Sequence, residues 1–480
     1  MEREGAGPAT RTGAVMDAIR RRIATRALLS GDRLPSIRGL AAAMRVSPST
    51  VVEAYDRLAA EGLIRARPGS GFFVSDAAVP LVLATAPDPV ERAIDPFWVS
   101  RQSLDAGPEI ARPGCGWLPP DWMPVGALRR AARSLSRAPD AVLTDYGPVR
   151  GCLRLRAHLA RRFAAEGLNA GPDDILLTGS GTQSLDLVCR LLLRPGDTVL
   201  VDDPCYFNFR AILAAHRVAV VGVPMTAAGP DTDRFAEIAA AHRPRLYLTN
   251  SALHNPTGAT LIAPVAHRVL VLCARHDITV VEDEVFADFE PEPSVRLAVL
   301  GGSQRAVRIG SFSKTLSASV RCGYVAARRD WIEGLIDIQV ATSFGGLAPM
   351  AAEIVHSVLA DGSYRKHMEA LRRRLAYARR EIGDRLENLG YRPFLRPRGG
   401  FTLWCEVPGP GGAASLARAA LERGVVLAPG EVFSVSGEAG RFMRFNVAQM
   451  GEALVFEVLA EGAAAAESVP DARATLSSPG

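Results

Sequence analysis

The chain has 480 residues, 48% of them hydrophobic and 22% charged, with a formal net charge of +5. Such a length suggests about three ordinary domains, and the composition is that of a globular protein with a large core to bury. No run of about 18 apolar residues is present, which excludes a transmembrane helix, and the arginine-rich start lacks the apolar stretch of a signal peptide.

The seven cysteines lie far apart, at 115, 152, 189, 205, 273, 322 and 405, without the paired spacing of a zinc site or a disulfide framework. No metal is expected, and a reducing cytoplasm is the simplest location. Charge is uneven: residues 1–78 hold 12 arginines against 8 acids, a net of +4, which leaves +1 for the other 402. A basic head on a nearly neutral body suits a polyanion partner, although a solvated basic face has the same count. Of the 56 basic residues only Lys314 and Lys366 are lysines. An amine can lose its proton and attack a carbonyl, which a guanidinium cannot, so a surviving lysine is a candidate for chemistry. Lys366, in Tyr364-Arg365-Lys366-His367, reads as an ordinary surface residue.

In chain order, Val15, Ile19 and Ile23 give 12–26 a one-sided helical stripe. Ser36 is placed to cap a second short helix with Ile37, Leu40, Ala41 and Met44 inside. Ser47 is placed to cap a third, with Pro48 at its first position and Val51, Tyr55 and Leu58 buried. Residues 63–67 and 72–74 flank Pro68-Gly69-Ser70-Gly71 as a short hairpin, or wing. Ser47, Ser49 and Thr50 at the start of the third helix, together with Ser36 and Gly69, can approach phosphates or base edges, with Arg33, Arg38, Arg45, Arg65 and Arg67 around them. A helical protein–protein module would show the same local stripe.

Ser30-Gly-Asp-Arg-Leu-Pro-Ser-Ile-Arg38, Val46-Ser-Pro-Ser-Thr-Val51, Ala54-Tyr-Asp-Arg-Leu58 and Pro68-Gly-Ser-Gly71 resemble a GntR-type winged-helix DNA-binding domain along its whole length. The resemblance implies a double-stranded DNA operator as partner. Pro48 departs from it, since that position is often Arg in the family, so the contact made by that Arg is not carried over.

Residues 79–107 read as a connector and 463–480 as a disordered tail, with a body over 108–462 between them. Its larger part, about 140–345, alternates short apolar strands with helices, the pattern of an α/β fold with a mainly parallel sheet; 346–462 forms a smaller α+β part. Candidate strands are 174–178, 198–201, 245–249, 278–281 and 306–309. Ligands gather where such strands end. The first is followed by Gly179-Ser180-Gly181-Thr182-Gln183 opening a helix at 184–193, a phosphate cradle or an ordinary strand–turn–helix. The second leads to Tyr206, which fits ring stacking or, more readily by local pattern, core packing. The third leads to His254-Asn255-Pro256-Thr257-Gly258, where Asn255 is either a donor to a phenolate or part of a plain Asn-Pro turn. The fourth ends in Glu282-Asp283-Glu284, with Asp283 able to keep a pyridine nitrogen protonated and Glu284 read as a surface acid. The fifth leads to Ser311-Phe312-Ser313-Lys314 and then Arg321, hydroxyls and a guanidinium for a phosphate and an amine for a Schiff base. Each is ambiguous alone. Together they are the set that pyridoxal 5′-phosphate requires.

Residues 108–462 resemble the fold type I aminotransferases, through Tyr146-Gly147, Ser180-Gly-Thr-Gln183, His254-Asn-Pro-Thr-Gly258, Asp283-Glu-Val-Phe286, Ser311-Phe-Ser-Lys314, Arg321-Cys-Gly-Tyr324 and Arg441-Phe-Met-Arg444-Phe-Asn446. With the head in front, the whole chain resembles the MocR subgroup of GntR regulators. The resemblance implies pyridoxal phosphate on Lys314 as an internal aldimine, Asp283 at the pyridine nitrogen, Asn255 at the phenolic oxygen and Tyr206 on the ring. It gives the phosphate to Gly181, Thr182, Gln183, Ser311, Ser313 and Arg321, and to Tyr146 from the partner of a homodimer. Arg444 takes the carboxylate of an amine or amino-acid effector. Phe286 stands where most relatives have Tyr, which leaves the phenolic oxygen one donor short. Three readings follow: a regulator that senses the cofactor or an amine, an aminotransferase with an accessory head, and a DNA-binding protein with an inert body.

Overall fold

The computed structural model describes residues 11–24, 28, 32–67, 71–75, 96–302 and 304–467. Its chain divides into two compact units, Met1–Asp88 and Pro89–Gly480. The expected Gly69 lies outside the described residues, as does most of the expected connector.

In the first unit α1 (Arg11–Ala24), α2 (Ile37–Met44) and α3 (Pro48–Ala60) precede the hairpin β1 (Ile64–Arg67) and β2 (Gly71–Val74). Both expected caps form: Ser36 Oγ accepts from Gly39 N and Ser47 Oγ from Thr50 N. Arg45 turns the chain between α2 and α3 in the left-handed region, φ 56°. Val15, Ile19, Leu40, Val51, Tyr55 and Leu58 meet in one core, and Tyr55 Oη donates to Pro35 O at 2.9 Å, tying α3 to the entry of α2.

The second unit opens with α4 (Pro96–Asp105), inside the stretch read as connector. Trp98 and Val99 are buried in the body's core, so apolar anchoring overrides the proline-rich local pattern there. At the far end the helix Ala453–Glu467 runs past residue 463, where the tail was expected to begin. All five expected strands form, as β3 (Ile175–Thr178), β4 (Thr198–Asp203), β7 (Leu246–Thr249), β8 (Thr279–Asp283) and β9 (Ala306–Ser311). Three strands of that sheet were not expected: β5 (Ala219–Thr226), β6 (Gly229–Pro230) and β10 (Gly323–Ala326). The eight run in the order β3-β10-β9-β8-β7-β4-β5-β6. Strands β9, β8, β7, β4 and β5 are parallel neighbours, whereas β10 is antiparallel to both β3 and β9. Only residues 312–322 link β9 to β10, too few for a crossover helix, so the chain must return antiparallel. That return keeps Lys314 and Arg321 at the carboxyl edge of the sheet.

Alternation along the strands feeds two cores. Val199 and Val201 of β4 pack with the helix Gly181–Leu192, and Leu200 between them packs on the other face with Tyr247 and Val280. The smaller part carries an antiparallel sheet, β11 (Arg392–Pro393), β12 (Thr402–Glu406), β14 (Phe442–Asn446) and β13 (Ala428–Pro429) in that order. The long helix Ser363–Asn388 packs against it.

Candidate nucleic-acid interface and cofactor cleft

On the head, the first turn of α3 is polar and open. Ser47 Oγ lies 2.8 Å from both Ser49 Oγ and Thr50 Oγ1, so the three hydroxyls form one cluster at the helix start. Arg33, Arg38, Arg45 and Arg67 are exposed, and Ser36, Ser47 and Ser49 with them; Thr50 and Arg65 are half-buried. Arg67 lies over the Phe73 ring at 4.6 Å, which fixes its stem on the wing. Farther along α3 the exposed face turns acidic, with Glu53 bonded to Arg57 at 2.6 Å and Asp56 beside them. The amino-terminal end of α3, where helix N–H groups also point outward, is the part of this face without acids.

In the body, strand register assembles the carboxyl edge. Gly323 of β10 pairs with Thr178 of β3 on one side and Ser311 of β9 on the other. A Cβ at Gly323 would stand 2.4 Å from Ser180 C, so glycine alone lets these strand ends close up. Gly181 then opens its helix 3.4 Å, by its Cβ position, from the Ser311 side chain. Ser180 caps that helix by accepting from Gln183 N at 3.0 Å, and Ser311 Oγ lies 2.8 Å from Ser313 Oγ. Gln183 turns away from this cradle, its Oε1 accepting from Gly179 N at 2.6 Å and its Nε2 donating to Ser343 Oγ at 3.2 Å. Thr182 and Arg321 are exposed beside it, and Arg321 has no ion-pair partner among the described residues. Helix N–H groups, two hydroxyls and an unpaired guanidinium suit a phosphate.

Lys314 stands next in the chain. Burial lowers its ammonium to about 8, with Arg444 and Arg321 pushing the same way and Asp283 opposing. Arg444 is 1% exposed and burial lowers it to about 10. Its Nη1 donates to Asn255 Oδ1 at 3.0 Å and its Nη2 to Gly114 O at 2.6 Å, and Nε has no partner. Five donors with two so engaged leave the guanidinium able to take a carboxylate. The bond to Asn255 Oδ1 also settles that amide's orientation, turning Nδ2 away from Arg444. Behind Asn255, His254 Nδ1 lies 2.8 Å from Thr257 Oγ1 and its Nε2 3.3 Å from Asp202 Oδ2, so the loop rests on a buried acid. Tyr206 is half-buried against Phe207 and Phe209, and its phenol is raised by burial.

The fourth strand end was only partly legible. Asp283 accepts from Val285 N at 3.0 Å and forms no ion pair among the described residues, and burial raises it to about 6. Glu284, read as a surface acid, is 4% exposed and held by Arg308 at 2.8 Å and Arg296 at 3.0 Å. Its partners come from elsewhere in the chain, which a local pattern does not reveal. One contributor had no sequence signal, and Asn446, quoted only as the end of a motif, had been given no role. Residues 114–117 reach into the cleft, where a Cβ at Gly116 would stand 3.7 Å from Arg444 Nη2 and 3.9 Å from Lys314 Nζ. Asn446 Nδ2 anchors that segment through Cys115 O at 3.1 Å and Trp117 O at 2.7 Å.

The donor set fits pyridoxal phosphate on observations independent of kinship. A buried carboxylate without an ion pair among the described residues suits a protonated ring nitrogen, and an amine of lowered pKa suits an aldehyde. Residues 122–461 match aminotransferase class I and II, and residues 11–74 match the gntR family of bacterial regulatory proteins. The chain belongs to the class I and II aminotransferase family and carries a GntR helix-turn-helix domain in front. The aminotransferase domain is 30% identical over 365 residues to the 2-aminoadipate transaminase of Thermus thermophilus, covering 73% of this chain and 89% of that one. Over 451 residues the chain is 29% identical to the uncharacterized HTH-type transcriptional regulator YdcR of Escherichia coli, covering 91% and 95%. A crystal structure of LysN, the α-aminoadipate aminotransferase of Thermus thermophilus complexed with N-(5′-phosphopyridoxyl)-L-leucine, superposes with TM-score 0.70 at 25% identity over 79% of this chain and 96% of that one. Pyridoxal phosphate is accordingly the cofactor of the aminotransferase domain. No helix among the described residues is long and apolar enough to cross a membrane.

Proposed function

We propose that this aminotransferase-family chain is a transcriptional regulator that binds DNA through its head and senses pyridoxal phosphate, or an amine or amino acid, through Lys314. The observation that carries the reading is the pairing, in one chain, of a winged helix with a polar, basic-framed first turn on α3 and a cleft in which the Lys314 amine is lowered to about 8. The cofactor, when bound, supplies an aldehyde for amines and an electron-accepting ring. Lys314 gives the amine that holds it, and Asp283 keeps the proton at the ring nitrogen. Asn255, fixed by Arg444, donates to the phenolic oxygen, and Tyr206 covers the ring. Gly181, Thr182, Ser311, Ser313 and Arg321 hold the phosphate, with Gln183 bracing the turn before them. Arg444 takes the carboxylate of an amino-acid effector. On DNA, Ser49, Thr50, Arg38 and Arg45 approach the groove, with Ser36, Ser47, Arg33, Arg65, Arg67 and Gly69 along the backbone.

The working unit is a homodimer. Tyr146 and Phe344 are 70% and 71% exposed, their rings 5.1 Å apart, with Leu143, Val149, Leu153 and Met350 also exposed. Apolar surface of this kind is normally covered, and Tyr146 would then reach the phosphate in the partner subunit. The cytoplasm remains the proposed location.

The test is affinity for DNA upstream of the chain's own gene, at fixed salt, with and without pyridoxal phosphate. A tenfold change that Lys314→Ala abolishes, about 1.4 kcal/mol of coupling, is expected. Unchanged binding with and without the cofactor or amines overturns it. A second reading, a working aminotransferase with an accessory head, is favoured by the 30% identity to a transaminase. Steady turnover of an amino donor with a keto acid would support it.

A further inference from the structure

We propose that a cleft in the smaller part of the body, between the helix Ser363–Asn388 and residues 393–398, binds a small phosphate-bearing anion apart from the cofactor. The cleft has a volume of about 290 Å³ and is lined by Arg379 and Arg380 from the helix and Arg396 and Arg398 from the loop. Glu387 is the one acid in its lining, and it is engaged with Arg396 at 2.7 Å, which Asp384 also holds at 3.0 Å.

The other three arginines have no carboxylate among the described residues. Arg379 is half-buried and donates only to main-chain carbonyls, Nη1 to Gly400 O at 2.6 Å and Nη2 to Arg398 O at 3.3 Å. Arg398 likewise donates to the Glu292 main-chain carbonyl. Burial lowers Arg379 to about 10 and the neighbouring Arg380 adds repulsion, the state of a cation short of a counterion. Arginines that line one cleft from a helix and from a loop match the several oxygens of a tetrahedral phosphate better than the two of a planar carboxylate.

Position gives the cleft a consequence. The loop that supplies Arg398 rests on the segment that carries Asn255. A Cβ at Gly258, φ +74°, would stand 2.5 Å from Pro397 Cγ, and one at Gly399 would stand 3.0 Å from Leu253 Cδ1. An anion on Arg379 competes with the carbonyls of residues 398 and 400 and so pulls on the loop packed against Leu253–Gly258. Phosphate in the cleft therefore reports to the residue that faces the phenolic oxygen.

The experiment is calorimetric titration of inorganic phosphate into the full chain saturated with pyridoxal phosphate, so that the cofactor's own cradle is filled. One phosphate per chain is expected, weakened at least tenfold by Arg379→Gln and several-fold by Arg380→Gln. The latter removes no hydrogen bond seen in the fold and so guards against misfolding. Arg373→Gln, exposed on the same helix outside the cleft, is expected to bind as wild type. Tighter binding of glycerol 3-phosphate than of phosphate would make a phosphomonoester the ligand, and the reverse would make it free phosphate; both support the site. Absence of saturable binding, or binding unchanged in both Arg379→Gln and Arg380→Gln, overturns it. So does a result in which phosphate fails to bind while Arg380→Gln weakens DNA binding and flattens its salt dependence, which assigns these arginines to nucleic acid.

Discussion

Asp283 and Glu284 are adjacent in the chain and both buried, yet they belong to opposite kinds of site. Glu284 faces a chain of charges: Arg296 bonds it at 3.0 Å, Arg308 at 2.8 Å, and Arg308 reaches on to Glu166 at 2.6 Å. Glu166 then meets Arg162 at 3.1 Å, which holds Asp288 as well. Asp283 faces the cleft with a backbone donor from Val285, the Asn250 amide and the Lys314 amine nearby, but no ion pair among the described residues. Burial raises both, Glu284 to about 7 against the pull of its arginines and Asp283 to about 6 against the Val285 N–H, the Asn250 amide and the more distant Lys314 amine. A buried charge with its partners in place is framework, whereas a buried charge without them is a position kept for a ligand.

The sharpest way to break this contrast is to remove a partner on the framework side. Arg308→Ala strips a cation that is 1% exposed and leaves Glu284 and Glu166 facing each other. Removing one member of a buried pair typically costs about 3–5 kcal/mol. We expect a loss of that size in denaturant unfolding, with the surviving folded fraction still taking up pyridoxal phosphate. A variant as stable as wild type would show that the network contributes nothing.

On the cleft side, Asp283→Asn is expected to do the reverse: weaken the cofactor and spare the fold. An ionised acceptor on a ring N–H contributes roughly 1.5–3 kcal/mol, so cofactor affinity should fall on the order of ten- to a hundredfold in an absorbance titration. The cofactor-free protein carries a second signature. With a folded pKa near 6 and an ordinary unfolded value near 3.8, the folded state keeps a proton that the unfolded state has already lost between those limits. Stability contributed by this group is therefore present below about pH 4 and lost as pH rises to 6. The melting temperature of Asp283→Asn relative to wild type should climb across that window and then level off. A flat difference would mean that the carboxylate is better solvated than its burial indicates.

These contrasts also mark what the sequence could and could not disclose. Ser36 and Ser47 announce their helices because a cap acts within three residues, and both cap as expected. Strand ends are legible for the same reason, since apolar runs stop where polar residues begin. The status of Glu284 depends on Arg296 and Arg308, the latter on the neighbouring strand, and no local pattern carries that. Strand β10, Gly323–Ala326, was missed because it follows β9 with no helix between them and so falls outside the strand–helix alternation by which the others were read. Trp98 and Val99 looked like part of a proline-rich connector until the core of the body, built from residues far along the chain, gave them somewhere to pack. The reach of residues 114–117 into the cleft is likewise tertiary: Gly116 matters through Arg444 and Lys314, both far along the chain.

The smallest expected effect tests the one departure from the family's pattern inside the cleft. Phe286 is 5% exposed and packs on Phe401 at 5.5 Å and Phe289 at 6.3 Å, so this position offers no hydroxyl to the phenolic oxygen. In the proposed placement of the cofactor, Asn255 is then left as the donor there. A phenolate with fewer donors holds a nearby proton more tightly, which raises the pH midpoint of the bound cofactor's visible band. Phe286→Tyr should lower that midpoint and leave the melting temperature nearly unchanged, because the new hydroxyl finds the phenolic oxygen. If the hydroxyl points into the aromatic cluster instead, it is buried without a partner and costs about 1–3 kcal/mol of stability with no spectral shift. That second outcome would make Phe286 a packing residue and return the control of the cofactor's proton to Asn255 and Arg444 alone.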